Sequence, residues 1–247
     1  MKPEEAMARL DAQVVRCRRC PRLVAWREEV ARTKRAAYAD EEYWGRPVPG
    51  FGPADARIAL IGLAPAAHGA NRTGRMFTGD RSGDWLFAAL HRVGLASQAT
   101  SAAPDDGLRL YDVRVTAAVR CAPPANRPTP QERDTCAPWL DRELAVLAPR
   151  LRVVVALGAI GWGAALTALG RGGWPVPRPR PRFAHGAEVL LPAPAERSAG
   201  PSRAPAGGVV LLGCYHPSQQ NTFTGRLTEP MTDAVLRRAR EVADDVR

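Results

Sequence analysis

Hydrophobic positions along the chain change period repeatedly. Four short runs, at 57–61, 112–117, 152–157 and 208–212, are rich in Val, Ile, Leu and Ala and read as strands. Between them, 84–93, 130–147 and 159–168 place apolar residues at helical spacing. Strands alternating with helices predict a parallel sheet covered on both faces. Before the first strand, 4–16 reads as a helix with Ala6, Met7, Leu10 and Val14 on one face, and 23–37 as a second. A last helix, 230–242, carries Arg237, Arg238 and Arg240. Residues 171–207 are proline-rich with little periodicity, and 192–207, rich in Ala, Pro, Ser and Gly, reads as a flexible insertion. No internal repeat or domain boundary is visible, so a single domain over 1–247 is expected.

In a parallel α/β sheet, ligands bind beyond the carboxyl ends of the strands. The unusual loops fall there: Gly62-Leu63-Ala64-Pro65, Arg120-Cys121-Ala122-Pro123-Pro124, Leu157-Gly158-Ala159-Ile160-Gly161 and Tyr215-His216-Pro217-Ser218. The segment from Gly62 to Asp80 is far longer than a strand-to-helix connection requires. It holds glycines, a histidine, arginines and a single acid, Asp80.

Charge narrows the partner. A formal net charge of +10 and a pI near 10.2 favour a polyanion, most often nucleic acid. No apolar stretch reaches the ~20 residues of a bilayer span, and the acidic start Met1-Lys2-Pro3-Glu4-Glu5 does not read as a signal peptide. A cytoplasmic location with reduced thiols is therefore expected. Cys17 and Cys20 form a C-x2-C pair, and Cys121 and Cys136 lie near prolines further on. Two such pairs fit a four-thiolate site for zinc or an iron–sulfur cluster. Cys214, inside an apolar run, reads as core.

With "GLAPAAHG", "TGRMFTGD", "RCAPPANRPTP" and "YHPSQQNTFTGRLT" in this order, and the four cysteines, the chain resembles the uracil-DNA glycosylase superfamily from Cys17 to about Thr228. The resemblance is closest to family 5, the type B enzymes with an iron–sulfur cluster. Classical members have a water-activating Asp where this chain has Ala64, and family 4 has an acid where it has Leu63. The resemblance implies a three-layer α/β/α sandwich around a four-stranded parallel sheet. It also implies a [4Fe–4S] cluster on Cys17, Cys20, Cys121 and Cys136. The implied partner is duplex DNA carrying uracil or other deaminated bases such as hypoxanthine and xanthine, with single-stranded DNA a second form and the protein a monomer. The activity implied is base release from an extruded nucleotide, leaving an abasic site.

Site roles follow from that implication. Gly62 and Ala64 belong to the pocket floor, and Phe77 stacks on the flipped base. His216, in a turn stiffened by Pro217, donates to the leaving base as charge grows. Asp80 orients water and favours the cationic sugar, ionised among Arg72, Arg75 and Arg81. Its competing reading is a helix cap. Asn126 is a further candidate for holding water, Asn221 for reaching the base, and His68 a weaker one. Ser218 grips a phosphate, and Arg72, Arg75 and Arg226 meet the DNA backbone. Two other classes compete: a metal-containing protein that recognises damaged bases without turnover, and a zinc-built nucleic-acid-binding module. A phosphate-binding small-molecule enzyme is disfavoured, since no G-x-x-x-x-G-K-[ST] stretch is present.

Overall fold

The computed structural model describes residues 1–194 and 208–245. Helices α1 (Pro3–Val15) and α2 (Pro21–Thr33) lead into β1 (Ile58–Gly62). The short α3 (Ala70–Thr73) and then α4 (Arg81–Arg92) precede β2 (Val113–Ala117). There follow α5 (Pro130–Leu147), β3 (Val153–Leu157), α6 (Gly158–Arg171), β4 (Glu188–Leu191) and β5 (Val209–Cys214). Short α7 (Gln219–Phe223) and α8 (Glu229–Asp244) close the described chain.

The sheet has five strands in the order β2-β1-β3-β5-β4. β1, β2, β3 and β5 are parallel, and β4 runs antiparallel along β5 with Leu191 opposite Val209. The expected four-stranded parallel sheet is thus corrected to a mixed sheet of five. β4 escapes sequence reading because it is a four-residue edge strand whose Glu188 and Leu190 face solvent, so no buried run marks it. The expected insertion at 192–207 falls, from residue 195 on, outside the described residues.

The three-layer arrangement follows from strict alternation on the central strands. Ile58 and Leu60 of β1 and Val153, Val155 and Leu157 of β3 pack with Leu86, Phe87 and Leu90 of α4 and Val235 and Leu236 of α8. The intervening Ala59, Ile61, Val154 and Ala156 point the other way, toward Leu10 of α1, Leu140 and Leu144 of α5 and Leu166 of α6. Strands buried on both faces read as continuous apolar runs, which is why β1 and β3 stand out in the sequence.

One buried charge network holds the α1–α5 layer to the sheet. Glu143 of α5 meets both Arg114 of β2 and Arg120, and accepts from Thr116 Oγ1 at 2.6 Å; Arg114 also pairs with Asp11 of α1. Although burial opposes ionisation of Glu143, the two guanidinium groups hold its carboxyl down at about 2. The arginines of α8 are ion-paired too: Arg237 with Asp233, Arg238 with Glu188 and Glu241, Arg240 with Asp244. No described helix is long and apolar enough to cross a membrane.

Candidate active site

From β1 the chain passes to β2 on one side, and from β3 it passes to β4 and β5 on the other. The carboxyl ends of β1 and β3 therefore flank a switch point where a crevice forms. A cavity of about 1050 Å³ opens there. Its wall is built from 63–70 after β1, from Phe77 and Asp80 before α4, from Asn126, and from His216 and Ser218 after β5. Ala64, Phe77, Asp80, Asn126, His216 and Ser218 thus meet in one place.

Phe77 has φ of 54°, a left-handed backbone that is costly for an aromatic residue. Its carbonyl is pressed on Gly83 of α4, where a Cβ would stand 1.7 Å from the oxygen, and its ring covers Gly62, where a Cβ would approach Cζ to 2.8 Å. Gly62 is therefore the bed of the ring and does not line the cavity. The Phe77 and His216 ring centroids lie 6.0 Å apart, with the ring planes tilted by 33°. Ala125 and Asn126 also adopt left-handed backbone, with φ of 52° and 56°.

His216 is held from behind. Gly158 at the start of α6, with φ of +87°, comes so close that a Cβ there would lie 3.3 Å from His216 Cβ. Asn221 Nδ2 donates to the His216 carbonyl at 2.9 Å. Asn221 does not line the cavity, so its expected contact with a base is corrected to a brace on the histidine turn. Burial pushes the His216 imidazole down to about 4, leaving it neutral near pH 7.

Asp80 divides its carboxylate. Oδ1 accepts from Ser82 N–H at 2.9 Å and Gly83 N–H at 3.0 Å, capping α4. Oδ2 points at Gly69, where a Cβ would fall 2.0 Å from it. No described donor bonds to Oδ2. Burial raises the carboxyl above its ordinary value, opposed by the two cap bonds and only weakly by Arg72. The expected arginine environment is therefore corrected: Arg75 is turned away from it.

Arg72 and Arg75 are both buried, at 8% and 5% exposure. Arg72 ties down the His68 and Gly79 carbonyls and pairs with Glu41. Arg75 bonds Thr78, Ser101 and Asp106. Neither has a free face for a phosphate, so both expected DNA contacts become internal braces of the loop. Arg226 remains exposed, its guanidinium 4.8 Å above the Tyr215 ring. Arg35 and Arg81, exposed and lining the cavity, are the cations at the mouth that the sequence reading did not select as DNA contacts. His68 also lines the cavity, with Nδ1 3.0 Å from Tyr43 OH, and burial lowers its pKa.

On the α1–α5 side, Cys17, Cys20, Cys121 and Cys136 border one small cavity with Trp139 and Arg120. Among the described residues, no group of three or more His, Cys, Asp or Glu is arranged as a metal site. Burial pushes the Cys121 thiol up to about 11 and that of Cys136 up to about 12. Arg27 of α2, 2% exposed, donates from Nη1 to Cys121 Sγ at 2.9 Å and to the Cys17 carbonyl at 3.3 Å. The Arg120 N–H donates to Cys136 Sγ at 3.3 Å. Cys214 is buried among apolar residues of the other layer, as expected.

The model of the family described as "Uracil DNA glycosylase superfamily" matches residues 49–240. The chain is 54% identical over 238 residues to a protein named "Type-5 uracil-DNA glycosylase" from Mycobacterium bovis, covering 96% of this chain and 82% of that one. A protein of the same name from Mycobacterium leprae is 53% identical over 234 residues, 95% and 94% of the two chains. Another from Thermus thermophilus is 52% identical over 227 residues, 92% and 94%. A family match over the whole sheet and nearly all of the cavity wall, joined to substantial identity across nearly the full length, makes this chain a member of the uracil DNA glycosylase superfamily.

Proposed function

We propose that the chain is a monofunctional uracil-DNA glycosylase that hydrolyses the N-glycosidic bond of a uracil turned out of duplex DNA. The observation that carries the reading is the meeting of Phe77, a neutral His216 and a half-free Asp80 carboxylate on the wall of one cavity at the switch point. Such a cavity takes a planar heterocycle, with stacking on Phe77 contributing about 1–3 kcal/mol. As the C1′–N1 bond breaks, its electron pair goes to the base, and the His216 N–H donates to the base oxygen that gains charge. Because the imidazole is neutral, it stabilises the anion without giving up its proton. Water adds to C1′, and its proton passes toward Asp80 Oδ2, whose charge also favours the cationic sugar. Asn126 at the mouth is a second group for holding that water. The same cavity is proposed to accept hypoxanthine and xanthine, since no acid stands at Ala64 to narrow it.

Duplex carrying one uracil, incubated with enzyme and then treated with alkali, tests this. Strand scission at the uracil position is expected, and none at a thymine control. Binding without scission would leave the non-catalytic reading instead.

We propose that the four cysteines hold a [4Fe–4S] cluster. They border one small cavity, and the buried Arg27 cation beside Cys121 suits an anionic cluster. When bound, the group would supply a covalent tie between α1–α2 and the start of α5. Cys121→Ser is expected to abolish the broad absorbance near 400 nm and the iron content, whereas Cys214→Ala leaves both intact. Bleaching by the Cys214 change would sink the assignment.

A further inference from the structure

With Arg72 and Arg75 internal, and the α8 arginines paired, much of the +10 charge is still to be located. One stretch carries it in a regular form. Arg178, Arg180 and Arg182 alternate with Pro177, Pro179 and Pro181. All three arginines are exposed, and none pairs with a carboxylate among the described residues.

The backbone here is anchored, so the arginine positions are fixed. Pro181 accepts from Trp162 Nε1 at 2.9 Å, and Arg180 Nη1 reaches Thr167 Oγ1 at 3.3 Å, both on α6. The Phe183 ring sits 6.0 Å from both the Trp162 and Tyr215 rings, and His185 Nδ1 accepts from the Tyr215 N–H at 3.2 Å. From 181 to 189 the odd positions turn toward the domain and the even ones toward solvent. This is the alternation of an extended chain. The route matters as much. The row climbs along α6 from Thr167 to Trp162, toward the end of the helix that touches His216, and enters antiparallel β4 from the catalytic edge. Arg226, stacked on Tyr215, continues it to the site.

We propose that Arg178, Arg180 and Arg182 form a phosphate-binding track for DNA flanking the extruded nucleotide. The inference rests on the DNA-repair reading above for its partner. Prolines restrict the backbone, and the packing of Pro181, Phe183 and His185 holds it, so little ordering entropy opposes binding. The row leads away from the cavity, so it meets duplex beyond the nucleotide being processed.

The test compares the wild type with Arg178→Ala/Arg180→Ala/Arg182→Ala, using fluorescence anisotropy on undamaged duplex over a range of NaCl. One duplex is long, the other trimmed to a single helical turn, about 10 bp. On the long duplex, the log-log salt slope should shrink by up to about 0.9 for each of the three lost contacts. On the short duplex it should not change. The triple Arg→Lys variant should retain the wild-type slope, because a point charge suffices. Single-turnover uracil excision at saturating enzyme should be unaltered. An unchanged slope on the long duplex overturns the proposal, and so does an equal loss on both duplexes, which would put the row at the cavity mouth. Wild-type protein that shows the length-dependent slope but releases no uracil would refute the glycosylase reading while leaving the track standing.

Discussion

His216→Ala is expected to slow single-turnover uracil excision by roughly 10²–10³-fold, the loss typical of removing one preorganised donor from a developing anion. DNA affinity should change far less, because the bond strengthens only as the base departs. The ratio of uracil to hypoxanthine excision should shift, since a purine leaving from N9 presents different edges. Burial holds this imidazole at about 4, so it contributes no inflection to the rate between pH 5 and 8. The sign for stability follows. The ordinary value is about 6.5, so the unfolded chain binds a proton that the folded one refuses between there and about 4. The stability linked to this group is complete above pH 6.5 and is lost as pH falls. Chemical denaturation at pH 7 and pH 5 should show a smaller difference for His216→Ala than for the wild type. An excision rate within a few-fold of wild type would remove His216 from the mechanism.

Asp80 separates its two duties by substitution. Asp80→Asn keeps an N-cap of equal quality but removes the charge. It should slow excision of uracil and hypoxanthine alike by about 10²-fold or more, with thermal stability at pH 7 unchanged or raised. The direction is set by burial, which lifts the folded carboxyl above its unfolded value. The ionised group therefore costs stability at pH above both values. Asp80→Ala should show the same rate loss and also lose about 0.5–2 kcal/mol of stability with the cap. If Asp80→Asn excises at near wild-type rates, the carboxylate is a cap alone, and Asn126 becomes the group to test for water.

Legibility in the sequence tracked how strongly burial patterns a segment. β1 and β3, sandwiched between layers, stood out as apolar runs and were bounded to within a residue or two. β4 did not, because an edge strand hides only Leu191 fully. Pocket residues at strand ends were recognisable from residue type and motif order. The direction in which a charged side chain points was not. Arg75 looks like a loop cation until Ser101 and Asp106, 26 and 31 residues away, are seen to bind it. Asp80 read as catalyst or cap, and its two oxygens face both ways. Arg27 carries a signal in its position. It falls on the stripe of Leu23, Val24 and Val30, a place where a cation is expected to have a buried partner.

The bond from Arg27 to Cys121 spans 94 residues of chain. During synthesis at about 5–20 residues per second, Cys17, Cys20 and Arg27 wait on the order of 5–20 s for Cys121 to appear. The surface that α1 covers on α5 arrives later still. Until then, the apolar stripe of Met7, Leu10 and Val14 lacks the α5 face it packs against, and the first two thiols lack Cys121 and Cys136. The packing of α1 therefore waits for α5 to be made, however readily residues 3–15 turn helical on their own.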